Sequence, residues 1–153
     1  MRSKKKLLIE QLDRKLKPFV EAEKTALPEK GWIYSIRTAL NMTLEQLGNK
    51  LNKTRQGIKN LENSESTESI SIRSLKEIAN ALDMRLVYGF VPKQGSLEKL
   101  IDIKAEELAK KIVLRTNHTM QLENQGNSKE QINKAIAELA YELKREMNKA
   151  LWD

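Results

Sequence analysis

The chain has 153 residues, of which 39% are hydrophobic and 32% charged, and its net charge is +7. That length accommodates one compact domain, or a small domain with an appendage. The absence of cysteine excludes a disulfide framework and a thiolate metal site, and makes a reducing cytoplasm the expected location.

With three prolines and six glycines, helix is expected to dominate. The N-terminus carries Arg2 and Lys4 to Lys6, but Leu7-Leu8-Ile9 is too short for a secretory core. No apolar run reaches membrane-spanning length, so no membrane partner is expected. Two readings of the basic run stand side by side: an arm that tracks phosphates or a minor groove, and a solvated terminus. Leu8, Leu12 and Leu16, with Ile9 beside them, predict a helix over 5–17 that Pro18 ends or bends. A connector follows to Pro28 and Gly31. Trp32, Ile33, Ile36 and Leu40 then recur at helical spacing and predict a helix stopping near Asn41.

Thr43-Leu44-Glu45-Gln46 has the form of a capping box and opens a short helix with Leu44, Leu47 and Leu51 inside. Asn52-Lys53 breaks it, and Thr54 is placed to cap another short helix with Ile58 and Leu61 buried. Residues 63–69 are polar and predict a loop. Ile72, Leu75, Ile78, Ala79 and Leu82 define the next amphipathic helix. Over 85–91 the period changes to two and Pro92 closes the run, which predicts one short strand. A lone strand needs a partner, and the simplest supplier is the same strand of a second copy in a two-fold homodimer.

After Gly95-Ser96, Leu97, Leu100, Ile101, Leu108, Ile112 and Val113 predict a long helix over about 97–122. A loop at 124–127 leads to a second capping box, Ser128 to Gln131, and a helix carrying Ile132, Ile136, Leu139, Leu143 and Met147. The expected fold is mostly α, with a helix-turn-helix bundle, one short strand and a C-terminal helical hairpin. Its expected divisions are 1–30, 31–84, 85–93 and 94–153.

Two short helices joined by a tight turn and flanked by longer ones are the layout of a helix-turn-helix, whose second helix enters the major groove of double-stranded operator DNA. Candidate base contacts are Thr54, Arg55 and Gln56, with Lys59 and Asn60 one turn later. Arginine suits guanine O6 and N7, and glutamine or asparagine suits adenine N6 and N7. Between Lys50 and Lys59 there are four basic residues and no acid, making Lys50 and Lys53 candidate phosphate contacts. Charge is distributed to match. Residues 1–96 hold 18 Lys/Arg against 11 Asp/Glu, whereas 97–153 hold ten of each.

The matching positions are Ile36 to Leu40, Thr43 to Leu47, Leu51, Thr54-Arg55-Gln56, Ile58, Leu61-Glu62 and Leu75 through Leu82. Through them residues 32–82 resemble the phage repressor/Cro (XRE-type) family, which implies a lambda-repressor-like bundle. The resemblance also implies an ion pair between Arg37 and Glu62, placed near a phosphate that Arg37 would contact. Gly57 departs from the family pattern, where Ser, Thr or Ala is commoner; glycine costs a short helix roughly 0.5–1 kcal/mol against alanine.

Further segments extend over the whole chain: Gln11-Leu12-Asp13, Gly31-Trp32-Ile33 and Leu86-Val87-Tyr88, then Val91-Pro92, Ser96-Leu97, Thr119 to Glu123 and Leu151-Trp152-Asp153. Taken together they resemble the mobile mystery protein A family, whose neighbouring gene characteristically encodes a Fic-domain protein. The resemblance implies an antitoxin-like regulator. Fic inhibition typically uses a helix with [Ser/Thr]-x-x-x-Glu-[Gly/Asn], whose Glu pairs with a toxin Arg and blocks productive placement of the ATP γ-phosphate. Thr119, Glu123 and Asn124 fit that pattern, and carboxylate and phosphate do compete for bidentate arginine. The alternative is a plain mobile-element repressor with no toxin partner, whose C-terminal helices serve only oligomerisation.

No enzymatic role is expected. His118 is the only histidine, and there is no phosphate-cradling glycine loop or set of metal ligands. No cofactor is expected either.

Overall fold

The computed structural model describes residues 4–122 and 128–153, with side chains in the long helix described as far as Thr119. Its elements are α1 (Lys4–Ala22), α2 (Trp32–Ala39), α3 (Leu44–Leu51), α4 (Arg55–Ser66), α5 (Ile72–Ala81), α6 (Leu97–Leu122), α7 (Lys129–Glu146) and a closing 3-10 turn, Lys149–Trp152. They sort into two units. One is residues 23–89; the other joins α1 to the elements after residue 90.

In the first unit α2 to α5 surround Ile33, Leu47, Ile58, Ile78 and Leu82. Leu47 and Ile58 are fully buried, at 0% exposure each. Burial of a side chain of this size stabilises by about 1.5–3 kcal/mol, so these few residues fix how α3 and α4 sit against their supports. The capping expected at Thr43 is present in both directions: Gln46 N donates to Thr43 Oγ1 at 3.0 Å and Thr43 N donates to Gln46 Oε1 at 2.9 Å. Thr54 caps α4, accepting from Gly57 N at 3.0 Å.

Three expectations need correction. Pro18 does not end the first helix, which continues through it to Ala22; proline removes one N–H donor, a loss a long helix can carry. The polar stretch after Leu61 is not loop at its start, since α4 runs on to Ser66. There the hydroxyls are turned back onto the helix: Ser64 Oγ donates to Asn60 O at 2.8 Å and Ser66 Oγ to Asn63 O at 2.9 Å.

The third correction concerns residues 85–91, which form no strand; there is none among the described residues. The chain leaves α5 through Asp83 in the left-handed region (φ 56°), and Met84 N donates to Ala79 O at 2.8 Å. A single extended segment has no ladder to join within one chain. Alternation of period two is therefore present in the sequence without its usual consequence, and Val87, Tyr88 and Phe90 lie exposed.

In the second unit α6 and α7 pack on each other around Ile101, Ala105, Ala109, Ile136 and Leu143, with Leu151 of the closing turn and Ile9 of α1 added. Ala105 and Ala109 are one turn apart and completely buried, so small side chains let the helices approach. Expected as a separate N-terminal element, α1 instead shares this unit. Asp13 holds it there by capping α6: Leu97 N donates to Asp13 Oδ1 at 2.7 Å and Glu98 N to Oδ2 at 3.2 Å. Lys144 of α7 reaches Asp102 at 2.5 Å and Glu98 at 3.6 Å on α6. Those two carboxylates hold its ammonium above the ordinary lysine value, the hydrogen bond to Asp102 contributing most.

Candidate nucleic-acid interface

The turn between α3 and α4 sets the geometry of the site. Asn52 closes α3 in the left-handed region (φ 54°, ψ 44°), and Lys53 N donates to Gly48 O at 2.8 Å. The backbone approaches so closely here that a Cβ on Gly48 would stand 2.5 Å from Lys53 O. Only glycine fits. Sequence reasoning missed this residue, although a buried glycine just before a predicted helix break is itself a signal of close approach.

From that turn α4 presents two faces. Ile58 and Glu62 are buried, whereas Arg55, Gln56, Lys59 and Asn60 are exposed, as are Thr54 at the cap and Lys50 and Lys53 in the turn. All seven candidate DNA contacts on and beside α4 therefore face solvent together. The first turn of α4 contains no acidic residue, so the positive end of its dipole is not neutralised from within. Gln56 Nε2 donates to Asn60 Oδ1 at 3.0 Å. Gly57 lies between the faces; a Cβ there would meet Thr54 Oγ1 at 3.2 Å.

Arg37 and Glu62 form the pair that the resemblance implied. Arg37 Nε donates to Glu62 Oε2 at 2.8 Å and its Nη2 to Oε1 at 2.9 Å, a bidentate arrangement. Nη1 donates to Met42 O at 2.8 Å. The Glu62 hydrogen bond, opposed by burial, holds the guanidinium above its ordinary value. Each guanidinium nitrogen is thus engaged within the unit and Arg37 is only 8% exposed, which leaves little of it for the phosphate contact expected beside the pair. Its observed work is to tie α2 to α4 and to the entry of α3. Tyr34 stacks against this cluster, with Lys30 Nζ 4.8 Å and Arg37 Cζ 5.5 Å from its ring centre.

A second acid of α4 was not anticipated. Gly31, at φ 87°, provides no side chain to cap α2. Glu65 does so from a distance, accepting from Trp32 N at 2.9 Å and Ile33 N at 2.8 Å. The signal was available: a helix opening after glycine, with no Ser, Thr, Asp or Asn before it, needs an acceptor from elsewhere. Glu62 and Glu65 together fix the angle at which α4 leaves the bundle.

The remaining candidates are not part of this face. Thr119 lies on α6, where its hydroxyl donates to Arg115 O at 3.1 Å; Glu123 and Asn124 lie outside the described residues, as does Arg2. His118 is exposed on α6. Among the described residues no group of three His, Cys, Asp or Glu side chains is placed to hold a metal ion, and no helix is long and apolar enough to cross a membrane.

Compared with models of known families, residues 33–88 match the one described as Helix-turn-helix. That stretch is a helix-turn-helix domain, the fold of DNA-binding transcriptional regulators, and it contains the turn, the cap and the exposed face described above. No match to a curated protein or to a solved structure is found.

Proposed function

We propose that the chain is a non-catalytic, sequence-specific transcriptional regulator that reads duplex operator DNA with the N-terminal half of α4. One observation carries this reading: Arg55, Gln56, Lys59 and Asn60 share the solvent face of a helix whose opposite side is locked by Ile58 and the Arg37–Glu62 pair. A rigid helix with base-reading and cationic side chains outward suits the major groove. Lys50 and Lys53 supply phosphate contacts from the turn.

The regulator acts as a homodimer on two half-sites about one helical turn apart. Exposed Val87, Tyr88 and Phe90 support a partner copy, since a run of apolar side chains in water marks an association surface. Binding of an inverted-repeat duplex from upstream of the chain's own gene is the test. The expected result is retention of the duplex over RNA of the same sequence, with preference for the inverted repeat over random duplex weakened about tenfold or more by Arg55→Ala or Gln56→Ala. Equal binding of both nucleic acids, or no binding at low ionic strength, contradicts it.

The same regulator serves as the antitoxin of a Fic-domain toxin and represses their shared operon. The support is the whole-chain resemblance, together with the fit of Thr119, Glu123 and Asn124 to the inhibitory pattern. Co-expression with the adjacent gene product tests it. A heteromeric complex is expected, in which Glu123→Gly releases toxin activity and leaves DNA binding unchanged. Absence of a complex contradicts this reading and favours the plain repressor, with the C-terminal helices serving oligomerisation.

A further inference from the structure

Gln56 and Asn60 are one helical turn apart on the exposed face of α4, and their side chains are already joined, Gln56 Nε2 donating to Asn60 Oδ1 at 3.0 Å. We infer that they act as one reading unit, in which Asn60 is the positioning residue and Gln56 reads an adenine. This rests on the proposal that α4 enters the major groove. It alters the simpler expectation that the two residues contact separate bases independently.

The chemistry follows from what a primary amide has to offer. Its nitrogen carries two hydrogens and its oxygen accepts. One hydrogen of Gln56 goes to Asn60; the other lies with Oε1 along the edge that matches adenine N7 and N6. A free glutamine loses rotamer freedom when it docks on a base, whereas one already held to its neighbour loses less. Asn60 accepts through its oxygen and keeps both amide hydrogens. It thereby offers donors on the same face, suited to a neighbouring acceptor such as thymine O4, guanine O6 or a phosphate. Nothing in the packing competes for either side chain, since both are exposed and the buried side of the helix is held by Ile58 and Glu62.

The experiment uses the full chain. Duplexes are selected from a randomised pool, and binding is then titrated against the best duplex and against versions with each A·T pair changed to G·C. Gln56→Ala is expected to erase the preference at one A·T position, a discrimination of about tenfold or more in the wild type. Asn60→Ala is expected to weaken the preference at that same position several-fold. Asn60→Asp retains the acceptor for Gln56 and adds a negative charge, so it is expected to keep the preference while lowering affinity for every duplex. Thermal melting of each variant confirms folding, which these exposed positions leave intact. The inference is overturned if Asn60→Ala leaves the preference at the Gln56 position untouched, or if Asn60→Asp loses that preference as alanine does; DNA reading by α4 survives both outcomes. Failure of the wild type to select any duplex removes that reading and the inference with it.

Discussion

At the scale of single residues, the most consequential contact is the bidentate pair of Arg37 and Glu62, both nearly buried. Removing one partner strands the other charge in the interior, which typically costs about 3–5 kcal/mol. Glu62→Ala or Arg37→Ala is therefore expected to lower the melting temperature steeply. Replacing both with apolar residues is expected to recover much of the loss, and calorimetry on the three variants checks this. The two helix-turn-helix glycines separate by distance. Gly48→Ala puts a methyl 2.5 Å from the Lys53 carbonyl, a contact that backbone must move to relieve, and is expected to destabilise by about 1–3 kcal/mol, as overpacking does. Gly57→Ala meets only the Thr54 hydroxyl at 3.2 Å. Its propensity gain of about 0.5–1 kcal/mol offsets that crowding, so near-neutral stability is expected in the same assay.

At the scale of elements, two carboxylates from elsewhere in the chain serve helix starts: Glu65 begins α2, which local sequence leaves uncapped, and Asp13 joins the local cap Ser96 at the start of α6. Glu65→Ala exposes the first N–H groups of α2 and is expected to cost about 1–2 kcal/mol. Faster amide exchange confined to the start of α2 checks it, and unchanged exchange there contradicts the assignment. Between α6 and α7, Lys144 carries a raised value through Asp102 and Glu98. A cation whose folded value is raised stabilises fully below its unfolded value, about 10.4, and loses that contribution as pH climbs through the folded one. Lys144→Met is therefore expected to flatten the alkaline limb of the stability profile. The effect is under about 1 kcal/mol, because the group is partly solvated.

These elements also show what was legible beforehand. Capping boxes at Thr43 and Ser128, and the cap at Thr54, were readable because a short side chain meets a backbone N–H only three residues away. Glu65 and Asp13 were not, because each acts on a helix 32 or more residues distant. The strand at 85–91 failed for a related reason: period two reports which side chains alternate, but a ladder needs a partner that one chain does not provide. The end of α4 failed because serines read as loop formers were turned back onto their own helix. Of the candidate site, the exposed face of α4 followed from helical periodicity alone. The commitment of every Arg37 nitrogen did not.

For the whole molecule, the excess charge follows the sequence and not the division into two units. The seven excess positive charges lie within residues 1–96, which include the helix-turn-helix, while the remainder is neutral. By unit the excess is not confined to the helix-turn-helix: residues 23–89 hold ten Lys/Arg against eight Asp/Glu, whereas the unit that joins α1 to α6 and α7 holds 18 against 13. Reading of DNA by the outward face of α4 is tested most directly by the salt dependence of duplex binding. Each phosphate contact contributes about 0.9 to the slope of log K against log salt. Replacing Lys50 and Lys53 with alanine is predicted to reduce that slope by about 2 for every duplex alike, whereas Arg55→Ala should chiefly erase the difference between operator and random sequence. A slope insensitive to Lys50 and Lys53, with sequence preference surviving loss of Arg55, would contradict it.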